Sequence, residues 1–295
     1  MQKRKVVIIG SGVAGMTCAI YLKRYDVDVL VIEKDAPGGQ MLKSSVIENY
    51  PGFINIDGPS LSYKIYEQVN NLKVDYLFDE VVSVKNEDGK KIVQTKHDKI
   101  ESEYVVLATG RTSRTLNLDR EKEFIGRGIS FCALCDGNLY KGKDVVIIGG
   151  GNSALEEAIY LSNICNKVVI VHRKDKFTAE DSMIETISTL KNVEIKFKAN
   201  VEKYNIIDDK IKSVILDTGE EIKCDGIFIA IGYVPINDLI DVDKENGYII
   251  VDNNNETSIK NIYACGDAIK KNAYQISTAI GEATNVSYSI IKQIK

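Results

Sequence analysis

The sequence predicts an α/β fold built from two Rossmann-like, three-layer (ββα) nucleotide-binding domains, the second inserted in the first. Three observations predict it. A strand, a glycine turn and a helix occur together at Lys5 to Arg24, and again at Asp144 to Ser162. Each copy is followed later by an apolar strand that runs into a glycine turn, at Tyr104 to Gly110 and at Gly226 to Gly232. The chain has 295 residues, enough for two domains of ordinary size. The repeat divides it into a discontinuous first domain, 1–111 with 242–295, and an inserted domain, 112–241.

The first copy opens on Lys5-Val6-Val7-Ile8-Ile9. A short run rich in β-branched residues reads as a buried parallel strand. It enters Gly10-Ser11-Gly12-Val13-Ala14-Gly15, and Met16 to Arg24 reads as a helix. A second strand, Val27 to Ile32, ends at Glu33. This is the full dinucleotide fingerprint. Gly10 serves the tight turn, Gly12 lets backbone approach a pyrophosphate, and Gly15 lets the helix pack on the strand. The helix N-terminus favours phosphate, and Glu33 can accept from a ribose hydroxyl.

The second copy is Asp144 to Ile148, then Gly149-Gly150-Gly151-Asn152-Ser153-Ala154, with a helix from Leu155 to Ser162 and a strand from Lys167 to Val171. Ala154 stands where the fingerprint allows glycine or alanine. This strand ends in His172-Arg173-Lys174 and not in an acid. An acid repels a 2′-phosphate, whereas cations attract one. The contrast assigns FAD to the first turn and NADPH to the second.

Just before the second copy lies Phe131-Cys132-Ala133-Leu134-Cys135-Asp136-Gly137. A Cys-x-x-Cys pair holds a thiolate near neutral pH, and exchange passes through a mixed disulfide that the second thiol resolves. The adjacent acid can deliver a proton to a departing thiolate. A dithiol between two nucleotide turns has the layout of an electron relay. The later strand at Asn261-Ile262-Tyr263-Ala264-Cys265 runs into Gly266-Asp267, and a helix follows from about Ser277 to Ile294.

Composition removes several function classes. Net charge is −4, which gives no general attraction to nucleic acid. No run of apolar residues is long enough for a membrane span, and the N-terminus enters a strand directly, unlike a signal peptide. These features point to the cytoplasm, where a structural disulfide is unusual. A zinc site wants four ligands. The chain offers one close cysteine pair and two histidines, His97 and His172, in no metal-ligand pattern, so no metal is expected. Cys18, Cys165, Cys224 and Cys265 read as small buried hydrophobes.

Over its whole length the chain resembles the low-molecular-weight thioredoxin reductases, in the ordered motifs Gly10 to Gly15, Pro37-Gly38-Gly39-Gln40, Ile47-Glu48-Asn49-Tyr50-Pro51-Gly52-Phe53, Cys132/Cys135/Asp136, Gly149 to Ala154 and Gly266-Asp267. The resemblance implies a homodimeric FAD enzyme whose nicotinamide domain rotates between reducing the flavin and exposing the dithiol. It implies that Cys135 faces the flavin, that Cys132 attacks the thioredoxin disulfide, and that Asp136 is the general acid/base. Asp267 would bind the ribitol chain. Gly38, Gly39, Gln40 and Asn49 would line the flavin pocket, with Gly110 in the neighbouring turn.

The chain departs from that pattern in four places. The family's phosphate motif has arginines where Lys174 and Thr178 stand here. Lysine keeps the charge without the bidentate fork, and threonine loses it. Tyr274-Gln275 replaces Arg-Gln beside the flavin, and Leu134 replaces a threonine in the dithiol ring. Some reductases of this kind draw on ferredoxin and lack a working nicotinamide motif. Thioredoxin at about −270 mV lies about 130 mV above plant-type ferredoxins, roughly 6 kcal/mol downhill for two electrons, so the alternative donor is energetically open. A third reading is a flavin/dithiol sensor that switches without turning over.

Overall fold

The structure is a computed structural model that describes residues 1–44, 46–87 and 89–295. Its first strand, β1 (Gln2–Ile9), carries Val6 to Ile9 at 5% exposure or less. A strand buried on both faces needs helices over it, and α1 (Val13–Arg24) supplies the first. The chain continues through β2 (Val29–Glu33), α2 (Gly58–Asn71), β3 (Asp75–Phe78), β4 (Val81–Glu87), β5 (Lys90–Thr95) and β6 (Lys99–Leu107). Asp57 starts α2 by accepting the Ser60 N–H at 2.8 Å. The strands lie in the order β3-β2-β1-β6-β5-β4. The β3, β2, β1 and β6 neighbours pair in parallel, while β4, β5 and β6 form an antiparallel meander.

The next stretch builds a second sheet. It contains β7 (Ile129–Ser130), α3 (Ala133–Asp136), β8 (Asp144–Ile148), α4 (Asn152–Ser162), β9 (Lys167–His172), α5 (Asp181–Thr189) and β10 (Val193–Phe197). An antiparallel set follows, β11 (Val201–Ile207), β12 (Lys210–Leu216) and β13 (Glu221–Lys223), before β14 (Gly226–Ile229). The sheet order is β10-β9-β8-β14-β7, parallel throughout. Alternate residues of β8 feed two cores. Val146 and Ile148 pack with Val214 and Leu216 of β12, and Val145 and Ile147 pack with Leu155 and Leu161 of α4.

The chain then returns to the first sheet. Strand β15 (Ile262–Ala264) pairs with β6 in parallel, and α6 (Ile276–Ile294) ends the chain. Val7, Leu30, Val105 and Ile262 share one core. Two compact units result: residues 1–42, 56–112 and 234–295, and residues 43–55 with 113–233. Each carries the strand, glycine turn and helix that the sequence predicts. Among the described residues, no helix is long and apolar enough to cross a membrane.

Candidate functional site

In the first unit, Gly10 has φ +101°, and a Cβ there would stand 2.4 Å from the Ala108 carbonyl oxygen. A Cβ on Gly15 would stand 1.9 Å from the Gly10 carbonyl oxygen. These two glycines close the turn against β6 and the helix against the turn. Gly12 differs: a Cβ there would meet nothing within 4 Å. Its missing side chain leaves open room at the start of α1, where free N–H groups favour a pyrophosphate. Glu33 stands at the end of β2 and accepts the Ser11 N–H at 2.6 Å and the Asp35 N–H at 2.9 Å. It therefore braces the turn as well as standing where a ribose acceptor is expected. Ser11 is fully buried and its hydroxyl meets the Tyr76 hydroxyl at 3.1 Å. Ala14 is buried on the inner face of α1.

The other first-unit candidates gather around that turn. The Gly38 N–H donates to the Ser11 carbonyl at 2.8 Å, and a Cβ on Gly39 would lie 3.2 Å from the Gly12 Cα. Gln40 donates to the Arg111 carbonyl at 2.8 Å, just beyond Gly110 (φ +68°). Gly266 (φ +69°) faces the Ala14 methyl, and its N–H donates to Glu282 at 2.9 Å. Asp267 meets the Arg111 guanidinium at 3.3 Å and Lys271 at 3.5 Å. Gln275 caps α6 together with Thr278. The sequence reading missed Arg111. Its guanidinium stacks 3.9 Å above the Tyr274 ring, and Tyr248 packs on that ring from another side. The guanidinium that position 274 lacks thus arrives from a strand end 163 positions earlier. Asn49 is exposed and belongs to 43–55, which clusters with the second unit.

The second unit's turn follows the same logic. Gly149 has φ +152°, and a Cβ there would stand 2.4 Å from the Ala230 carbonyl oxygen. Gly151 has open room, with Thr178 Oγ1 the nearest atom at 3.8 Å, while Asn152 and Ser153 are exposed and Ala154 is buried. Asn152 exchanges hydrogen bonds with Glu180 at 3.1 and 3.0 Å. His172 is 7% exposed, and its ring packs against Gly150, Phe177 and Phe197. Burial holds its pKa down, with Lys174 and Arg173 pushing the same way. The two cations that follow it, Arg173 and Lys174, are exposed. Thr178 is tied to the turn, donating through its N–H and its hydroxyl to the Gly150 carbonyl at 2.8 and 3.2 Å.

The same unit holds the dithiol. Cys132 and Cys135 are joined in a disulfide. Cys132 is the cap residue of α3, and its sulfur accepts the Cys135 N–H at 3.2 Å. An N–H aimed at a sulfur stabilises a thiolate there. Ser130 ties the segment together by accepting the Cys132 N–H at 3.1 Å and donating to Asp136 Oδ2 at 2.7 Å. Asp136 is 6% exposed, and its Oδ1 has no hydrogen-bond partner among the described residues. Burial pushes its carboxyl up, opposed by the Ser130 bond. Leu134 is 57% exposed between the sulfurs.

Glu157 of α4 is a second acid at this turn, and the sequence reading missed it. It accepts the Ala133 N–H, and its Oε2 is buried with no partner among the described residues. Burial pushes this carboxyl up to about 8. Helical spacing does carry a signal: Glu157 stands three residues after Ala154 and four before Leu161, on the face that is buried. The remaining cysteines, Cys18, Cys165, Cys224 and Cys265, are buried. Burial raises all four, to about 12 for Cys18 and Cys224 and about 11 for Cys165.

Residues 4–283 match the family model described as pyridine nucleotide-disulphide oxidoreductase. The chain is 37% identical over 293 residues to a thioredoxin reductase of Bacillus subtilis, covering 97% of this chain and 93% of the relative. It superposes on the thioredoxin reductase of Streptococcus pyogenes with a TM-score of 0.93 at 35% identity, covering 99% and 98% of the two chains. It also matches a ferredoxin-flavin thioredoxin reductase of Clostridium acetobutylicum, with a TM-score of 0.56 at 31% identity over 100% and 99%.

Proposed function

The chain belongs to the pyridine nucleotide-disulphide oxidoreductase family, and from that membership we propose a flavin-dependent thioredoxin reductase that passes two electrons from NADPH, through FAD, to the Cys132–Cys135 disulfide and on to a thioredoxin-like protein. The observation that carries the reading is the disulfide itself. It caps a helical turn beside a buried acid, in a chain whose two units each hold a dinucleotide turn. The first unit is the proposed FAD domain and the second the nicotinamide domain. A homodimer in the cytoplasm is the proposed working form, as the resemblance to the low-molecular-weight thioredoxin reductases implies.

The residues of the first turn fit FAD. Open room at Gly12 lies at the start of α1, with Glu33 behind it and Asp267 held by two cations. Gly10, Ser11, Gly12, Ala14, Gly15, Glu33, Gly38, Gly39, Gln40, Gly110, Gly266, Asp267, Tyr274 and Gln275 are the proposed FAD residues, with Asn49 from 43–55. Bound FAD would supply two-electron reduction of the disulfide. Gly149, Gly151, Asn152, Ser153, Ala154, His172, Arg173 and Lys174 are the proposed NADPH residues, His172 by packing against Gly150 of the turn.

Substrate reduction follows from the thiols. The Cys132 thiolate attacks the partner disulfide, forming a mixed disulfide and releasing one partner thiolate. Asp136 relays a proton to that thiolate. The Cys135 thiolate then attacks the Cys132 sulfur, which releases the second partner thiolate and restores the Cys132–Cys135 bond. Two electrons have moved to the partner.

The intact second turn supports NADPH as the donor. One observation favours ferredoxin as a second reading. The Arg111–Tyr274 stack stands where the family has Arg-Gln, and the match to the Clostridium acetobutylicum enzyme accompanies it. Anaerobic titration of the oxidised protein with NADPH, NADH and reduced ferredoxin tests the donor. Bleaching of the flavin by ferredoxin alone overturns the nicotinamide reading. The NADPH Michaelis constant should be high, because position 178 brings no charge. Thr178→Arg should lower it about tenfold, one charged hydrogen bond to phosphate. An unchanged constant would mean that the 2′-phosphate does not reach this strand end.

A further inference from the structure

We propose that Glu157 is a positioning residue for the dithiol: it holds the Cys132–Cys135 turn through the Ala133 N–H and shares one negative charge with Asp136 at working pH. The proposal rests on the thioredoxin reductase reading. Three observations carry it. Glu157 grips the first residue of α3 from a neighbouring helix, so its carboxyl bears directly on the geometry between the sulfurs. Glu157 Oε2 and Asp136 Oδ1 are both buried, and neither has a partner among the described residues. The charge of Asp136 also acts on Glu157. Two buried carboxylates, each half satisfied, are costly together, so one keeps its proton. Asp136 has the Ser130 hydroxyl on its charged form and ionises first. The charges that act on Glu157 are acidic, Glu156 on its own helix and Asp136 on α3, and it holds its proton longer.

The arrangement makes the thiols sensitive to alkaline pH. A Cys132 thiolate adds a negative charge to a turn that already carries one on Asp136. While Glu157 is protonated, the turn bears no third charge. Above about pH 8 Glu157 ionises, and its charge opposes thiolate formation. Linkage gives a second signature. The folded carboxyl is raised above its unfolded value of 4.5, so the unfolded chain ionises first. Glu157 then costs stability that grows as pH rises from about 4.5 to about 8 and is flat beyond.

The test uses the full-length FAD-loaded chain carrying Cys135→Ser, which leaves Cys132 as the one cysteine of the chain not buried. The rate of its alkylation by iodoacetamide is followed from pH 6 to 10, with Glu157, Glu157→Gln and Glu157→Ala. With Glu157 the profile should bend twice, once for the thiol and once near pH 8. With Gln, which keeps an acceptor for the Ala133 N–H, the second bend should vanish. The thiol's apparent pKa should also fall by about one unit, a tenfold gain in thiolate at fixed pH. Gln should melt above Ala at every pH, because it keeps the acceptor, and above the Glu parent only above about pH 5. Profiles of Glu and Gln that superpose would overturn the proposal, as would Gln and Ala variants that match in both profile and melting temperature, since only Gln keeps the acceptor for the Ala133 N–H. Thioredoxin turnover is measured separately on the unmodified chain. Its absence would remove the functional reading and leave the alkylation result intact.

Discussion

Cys132→Ser and Cys135→Ser should each abolish thioredoxin reduction, by at least about a thousandfold, and should fail in different ways. Either change leaves one thiol, and one thiol cannot both attack and resolve. Cys132 accepts the Cys135 N–H on its sulfur, which favours its thiolate and makes it the attacking group. Cys135→Ser should therefore still attack and then stall. Incubated with an oxidised thioredoxin, it should give a mixed disulfide visible on a non-reducing gel. Cys132→Ser should give none. A trapped species in the Cys132 variant would reverse the roles. Turnover surviving in either variant would remove the dithiol from the route.

Two neighbouring glycines should separate folding from cofactor binding. Gly15→Ala places a methyl carbon 1.9 Å from the backbone oxygen of Gly10. Backbone cannot swing aside, so α1 must lift from the turn, at a cost of about 3 kcal/mol or more. The variant should melt roughly 5 °C or more below the parent and bind no FAD. Gly12→Ala places its methyl in open room, at φ −70°, a conformation alanine adopts freely. It should melt with the cofactor-free parent and yet bind FAD far more weakly, because the methyl fills the room at the helix start. Differential scanning fluorimetry and flavin absorbance read the two effects. FAD retained by a well-folded Gly12→Ala would mean that the pyrophosphate lies elsewhere.

The turns were legible because their chemistry is local. Gly10, Gly12 and Gly15 act on atoms within a few residues or on the next strand, and the Cys-x-x-Cys spacing fixes its own geometry. Charge was less legible. His172-Arg173-Lys174 reads as one polar run at a strand end, but the first follows the strand's alternation into an aromatic pocket beside Gly150, where burial lowers its pKa. Arg111 and Tyr274 stack although no local pattern links them; only the return of the chain to the first sheet brings them together. The contact made by Glu157 was hidden for another reason. Its partner is a backbone N–H, and no side-chain pattern encodes that.

Six cysteines could in principle pair in roughly fifteen ways, and a disulfide-exchange enzyme meets oxidised thiols at every turnover. In this chain the burial of Cys18, Cys165, Cys224 and Cys265 decides the matter before any exchange begins. At pKa values near 11 and above, about one thiol in ten thousand or fewer is ionised at pH 7. An oxidant, an alkylating drug or a stray disulfide thus finds one responsive pair. The fold protects the reductase from its own chemistry, and electrons that enter the protein have a single sulfur exit.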